Sequence, residues 1–146
     1  ISASDTDKDN KISITPVVSA PTMEGGDERT FGGGNETPGG VEISLGANAS
    51  NLNVVLRQFS QATIKTIKQL MCEKKLGVYF INGAGQILAR KTTSGHAPIP
   101  AQSVFVGDWN IGGFETPDSN PMRIGLPEGW SDDAEIVTPE FNALDL

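Results

Sequence analysis

The side chains able to do chemistry are few and far apart. Cys72 is the single cysteine and His96 the single histidine. A nucleophilic thiolate needs a histidine or cationic neighbour to lower its pKa; Cys72 instead lies beside the apolar face of an expected helix and reads as a small buried hydrophobe. A lone cysteine also excludes an intrachain disulfide. His96 falls in an expected loop, with no second metal-type ligand at a recognisable spacing. Among the carboxylates, Asp132 and Asp133 are adjacent, which points them apart, and Asp108, Glu115 and Asp118 sit among turn-forming residues. Catalysis requires a nucleophile, a base and an orienting group that converge, or a bound metal or cofactor. No such set is visible, so the chain reads as non-enzymatic, with no catalytic, metal or cofactor-binding residues.

Two further stretches invite a ligand and fail on detail. Asp5, Asp7 and Asp9 are spaced as in the opening of a calcium loop, but Asn10 stands where the loop needs glycine and Pro16 where it needs a bidentate glutamate. The stretch Pro21 to Gly40 holds Gly25, Gly26, Gly32, Gly33, Gly34, Gly39 and Gly40, interleaved with Glu24, Asp27, Glu28 and Glu36. A phosphate-binding loop would end in Gly-Lys-Ser/Thr at the mouth of a helix, and neither follows. A long glycine-rich acidic stretch is instead expected to be an arm or hairpin tip that orders against a neighbouring subunit, with Phe31 as its apolar anchor.

The elements that would position these residues centre on Ser60 to Lys91. Ile64, Ile67, Leu70 and Met71 recur three and four apart and predict the core face of a helix over 60–74, with Ser60 as N-cap and Lys74 and Lys75 at its negative end. Val78 to Ile81, an Asn82-Gly83-Ala84-Gly85 turn and Gln86 to Lys91 predict a hairpin. Alternating apolar residues predict strands at Lys11 to Val18, at Val41, Ile43 and Leu45, and at Leu52, Val54 and Leu56. Thr92 to Pro100 reads as a loop. Beyond it, strands are expected at Ser103–Val106, Met122–Leu126 and Ala134–Thr138, separated by Gly107-Asp108, a Gly-interrupted segment Trp109–Phe114 and a loop Thr116–Pro121. The expected fold is mainly β: a β-sandwich or β-barrel of short antiparallel strands, flanked by one helix and carrying a long Gly-rich arm. The expected division is a polar N-terminal segment and strand over 1–20, the arm over 21–40 and the β core over 41–146.

Composition narrows the partners. The 146 residues are enough for one core, and 17 Gly and 9 Pro point to extensive loops. No stretch approaches the roughly 20 apolar residues that span a bilayer, and no membrane binding is expected. A net charge of −7 opposes adhesion to phosphate backbones and anionic lipids. Trp109, Trp130 and Tyr79 would suit a carbohydrate-binding module if their rings were exposed and coplanar.

Several phrases carry a family resemblance. Phe59-Ser60-Gln61-Ala62-Thr63-Ile64, Val78-Tyr79-Phe80-Ile81-Asn82, Pro98-Ile99-Pro100, Val104-Phe105-Val106-Gly107-Asp108, Gly112 through Asn120 and Trp130-Ser131-Asp132-Asp133 resemble virion structural proteins of tailed phages and prophages of Bacteroidetes. The resemblance covers about Gln58 to Phe141 and is nearest to tail tube subunits or related ring proteins of the tail. It implies a β-sandwich with a flanking helix and an arm reaching the next subunit. It also implies identical subunits and other tail or neck proteins as partners, DNA as a non-specific passing cargo, a place in the virion tail and assembly in the bacterial host cytoplasm. A capsid-associated decoration or adaptor protein is the alternative within the virion.

Overall fold

Apolar alternation at Leu52, Val54 and Leu56 matches that at Met122, Ile124 and Leu126, and these two runs become the centre of the main sheet. The computed structural model describes Thr15, residues 18–57 and residues 59–143. The calcium-like Asp5–Asp9 stretch, and the strand expected over Lys11–Val18 apart from Thr15 and Val18, lie outside the described residues. The strands are β1 (Ser19–Gly25), β2 (Glu28–Gly32), β3 (Glu42–Ala47), β4 (Ser50–Arg57), β5 (Leu76–Val78), β6 (Phe80–Ile81), β7 (Ile87–Thr92), β8 (Gly95–Ala97), β9 (Ile99–Ala101), β10 (Ser103–Val106), β11 (Ser119–Leu126) and β12 (Ala134–Val137). One α-helix among the described residues, α1 (Gln61–Gln69), follows β4.

The main sheet has the order β1-β4-β11-β10, antiparallel throughout. Its inner face carries Val54, Leu56, Val104, Val106, Met122, Ile124 and Leu126, which pack with Ile64 and Ile67 of α1 and Ile99 of β9 into one core. A second sheet, β12-β7-β6 with β8 beside β7, and the two-stranded β5-β9 pair close over that face. Leu76, Val78, Phe80, Leu88 and Trp130 pack against the core from these layers. The fold is mainly β and sandwich-like. Its outer face, alternating with the inner one, presents rows such as Thr22, Asn53, Arg123 and Phe105.

The helix starts where its cap residue dictates: Ser60 Oγ accepts a hydrogen bond from the Thr63 amide at 3.2 Å. It ends earlier than the expected Lys74. After Gln69 the chain tightens into a 3-10 turn, Leu70–Cys72. Three residues per turn breaks the 3.6-residue wheel, so Leu70 is half-buried while Met71 is 40% exposed and Cys72 faces solvent. Met71 therefore leaves the core face, Cys72 is not a buried hydrophobe, and Lys74 and Lys75 follow the helix rather than end it.

Other boundaries also move. The hairpin turn holds, with Asn82 Oδ1 accepting from the amides of Ala84 and Gln86 at 3.0 Å each. The strand before it divides at Tyr79, because Val78 pairs with Ile99 in one sheet and Phe80 with Leu88 in another. Thr92–Pro100 is not a plain loop: it contains β8 and the start of β9, with Ile99 fully buried. Pro98 and Pro100 fix an extended path that a short two-stranded pair accepts, since each proline lacks the amide of an inner ladder. β11 begins at Ser119, inside the expected Thr116–Pro121 loop.

Ile67 sits in the core with 4% exposure. Ile67→Ala is expected to cost about 2–5 kcal/mol by removing buried methylenes and leaving a cavity, read as a lowered denaturant midpoint.

The β12-β7-β8 edge is cross-linked by Glu135, which accepts from His96 at 3.3 Å and pairs with Lys91 at 3.2 Å. These partners, the His96 hydrogen bond first, hold the Glu135 carboxyl below its usual range. A carboxylate with a lowered folded pKa contributes stability above its unfolded pKa and loses it as pH falls through the folded one. Protection of the β7, β8 and β12 amides, taken relative to their intrinsic exchange rate at each pH, is therefore expected to fall as pH drops below the ordinary glutamate range. Glu135→Gln is expected to remove that pH dependence.

Candidate assembly surfaces

Between β1 and β4 the chain makes a long excursion that stays paired with itself. β2 and β3 form a two-stranded ribbon, with Phe31 opposite Ile43, Thr30 opposite Ser44 and Gly32 opposite Glu42. The sequence predicts an arm or hairpin tip over 21–40 that orders against a neighbouring subunit, and a core strand at Val41–Leu45. Both assignments change: Ser19–Gly25 is an edge strand of the main sheet, and the arm's ladder partner is the Val41–Leu45 segment itself. Alternation specified an amphipathic strand but not which surface covers it.

The ribbon has two unlike faces. Thr30, Ser44 and Glu42 share one, where the Thr30 hydroxyl donates to the Glu42 carboxylate. Phe31, Val41, Ile43 and Leu45 share the other, and all four are about half exposed or more. The tip is closed by Thr37, which is buried; its hydroxyl donates to the Val41 carbonyl at 2.6 Å and accepts from the Gly33 amide at 3.4 Å. Gly33, Gly34, Gly39 and Gly40 lie in that tip and Gly32 ends β2.

The root of the arm is a bend followed by a latch. At Gly25 φ is +84°, and a Cβ there would meet the Ala49 carbonyl oxygen, so the turn away from the sheet requires glycine. Gly26 next to it donates to the Ala49 carbonyl, and Asn48 to that of Asp27 at 2.8 Å. From the loop after β11, Glu128 accepts from the Ala47 amide at 3.0 Å and approaches Arg29 Nη2 at 3.6 Å. Its carboxylate fills the space a Cβ at Gly46 would occupy.

Two other features face outward. Among the described residues β1 pairs only with β4 and β10 only with β11, so both edges of the main sheet are open. Regular pairing of β1 spans Thr22–Gly25, four residues, and β10 is four residues long. Residues 107–118 form a loop in which Ile111 and Phe114 are fully or nearly fully exposed and Trp109 largely so.

The carboxylates proposed from sequence do not converge. Asp118 Oδ1 accepts from the Gly112 amide at 2.8 Å, a turn bond, and Asp108 pairs with Lys68 Nζ at 2.7 Å, which lowers its pKa. Among the described residues no three His, Cys, Asp or Glu side chains gather at metal-binding range. The rings suggested for sugar binding do not make one platform: Trp130 is half-buried edge-on to Phe80 at 6.4 Å, Tyr79 is half-buried, and Trp109 stands alone on its loop. The Glu128 latch had no sequence signal because Ala47 and Glu128 lie 81 residues apart.

No family model and no curated protein matches the sequence. Among solved structures, a chain of the virion of a native gene transfer agent particle is similar at 13% identity, over 83% of this chain and 85% of that chain, with a TM-score of 0.44.

Glu128→Ala is expected to loosen the arm without unfolding the core. With both ion-pair side chains half exposed, the local loss is about 1 kcal/mol. Hydrogen exchange should accelerate over residues 28–47 while the main-sheet amides and the melting temperature stay near the parent's.

Proposed function

We propose that this chain is a non-enzymatic structural subunit of a phage-like virion, and specifically a tail tube subunit whose copies close into rings stacked around a DNA-conducting lumen. The observation that carries the reading is a pair of open, equally short antiparallel edges on one sheet, beside a ribbon whose apolar face nothing in its own described chain covers. In the order β1-β4-β11-β10 the two edge strands run in opposite senses. Joining β10 of one copy to β1 of the next therefore continues the antiparallel alternation without a break. Such a heterologous contact generates a ring when its rotation closes, and closure removes the edges that would otherwise template aggregation.

The lumen wall in this reading is the face of the main sheet that α1 and the second sheet leave open. Thr22, Asn51, Asn53 and Ser103 are polar, Phe105, Val55 and Pro121 add an apolar strip, and Glu24, Arg57 and Arg123 are mixed in sign. A wall without a basic stripe lets a phosphate backbone pass without condensing on it. The sequence phrases that resemble tail proteins of Bacteroidetes phages support the same reading. Partners would be identical subunits and neighbouring tail or neck proteins, within the virion tail after assembly in the host cytoplasm.

Negative-stain microscopy of the purified protein at high concentration is expected to show rings or tubes. Removing residues 27–47 joins Gly26 to Asn48 at the point where the two strands already bond, so the β1-β4 ladder should survive. That variant should melt close to the parent and be weakened in ring closure or stacking. A particle that stays monomeric across a wide concentration range, with no binding to tail components, would refute the proposal.

A further inference from the structure

Charge is unevenly shared between the arm and the helix. Residues 24–47 hold Glu24, Asp27, Glu28, Glu36 and Glu42 against one base, Arg29, which is already paired with Glu128. Although the segment also holds the acid Glu73, the opposite sign collects on α1 and the turn beyond it, at Lys65, Lys74 and Lys75. All three are exposed, and none has an ion pair among the described residues, whereas Lys68 is held by Asp108. Exposed Met71 lies between these lysines in sequence.

Strand register places these regions at the same level of the sheet on opposite edges. Lys74 and Lys75 precede Leu76, which pairs with Ala101, and Gln102 next to it donates to the Gly125 carbonyl. Gly125 is level with Ser103 on one side and Asn51 on the other, and Asn51 is level with Glu24, one residue before the bend that launches the arm. The lysine turn thus flanks the β10 edge at the height where the arm leaves the β1 edge.

We infer that the arm of one copy docks on the Met71–Lys75 turn and the exposed side of α1 of the adjacent copy, its apolar face meeting Met71 and the carboxylates of its root, Asp27 and Glu28, meeting Lys65, Lys74 and Lys75. This rests on the assembly reading above and names the receiving surface. When a β1 edge faces a neighbour's β10 edge, arm root and lysine turn come side by side. Among the other exposed apolar residues, those of loop 107–118 are accompanied by Asp108, Glu115 and Asp118 and by no base within the loop, so that loop repels an acidic arm. The occupant is therefore a second copy of this chain, held through the helix side and not through that loop.

Cys72, the native cysteine within this turn, makes a direct test possible. A Ser44→Cys, Cys72→Ala chain mixed with the native chain and treated with a bis-maleimide whose spacer is long enough to reach across the two-stranded ribbon can be linked through 44 and 72 only between copies. Peptide mapping is expected to find that 44–72 link in assembled material. Lys74→Glu with Lys75→Glu should abolish it and raise the assembly midpoint about tenfold, as a loss of several screened charge contacts implies. Asp27→Lys with Glu28→Lys at the arm's root should restore both. If the charge-reversed turn leaves the midpoint unchanged, or residue 44 links to a cysteine placed by Ile111→Cys instead, the receiving surface is wrong while the assembly reading stands. If the native chain forms no assembly at all, the underlying reading fails, and this inference with it.

Discussion

The ladder between β4 and β11 is the constraint on which the other elements depend. Eight consecutive pairs, from Arg57 with Ser119 to Ser50 with Leu126, join two strands whose inner residues include fully buried Leu56 and Leu126. A one-residue slip would turn all of those side chains outward, so the register is fixed by burial. Once fixed, it decides which ends of β1 and β10 are level, where α1 enters after Arg57, and where the arm leaves beyond Ser50.

Magnitudes separate the two kinds of assembly contact. Full burial of a large apolar side chain is worth roughly 1.5–3 kcal/mol. The four exposed apolar residues of the arm are already about half covered, so docking them supplies about 3–6 kcal/mol. Association of two folded chains costs an estimated 4–15 kcal/mol in lost freedom before any contact is counted. The arm therefore cannot hold two copies together unaided. In the proposed assembly, edge pairing has to carry part of the association, with the arm selecting which neighbour and which orientation succeed.

What could be read from the residues depended on whether the deciding contact was local. Ser60 capping α1, the inward Ile64 and Ile67, and the Asn82 turn are set within a few residues, and all were legible. The 3-10 turn that exposes Met71 and Cys72 was not, because nothing in Leu70-Met71-Cys72 itself breaks a helix. Val41, Ile43 and Leu45 show the sharper limit. Their alternation is the same whether the apolar side meets a core or a partner molecule, so the sequence reading put them in the core. Ile99 erred the other way: flanking prolines suggested a loop, while the neighbouring β5 strand and the core bury it completely.

An open, apolar-faced ribbon and two open edges would ordinarily invite indiscriminate association, and this chain restrains both. On β1 the register shifts between Ser19 and Thr22, with Ala20 at a φ of +50° and Pro21 lacking an amide. An edge interrupted in this way can add a strand only along Thr22–Gly25, a length that matches β10. Glu24 on that edge and the acidic residues of the arm repel another β1 edge or another arm, so like edges are disfavoured while an edge flanked by Lys74 and Lys75 is not. In the proposed assembly the acidic charge makes the self-contact directional, and a directional contact between unlike edges can build a ring where a symmetric one would stop at a pair.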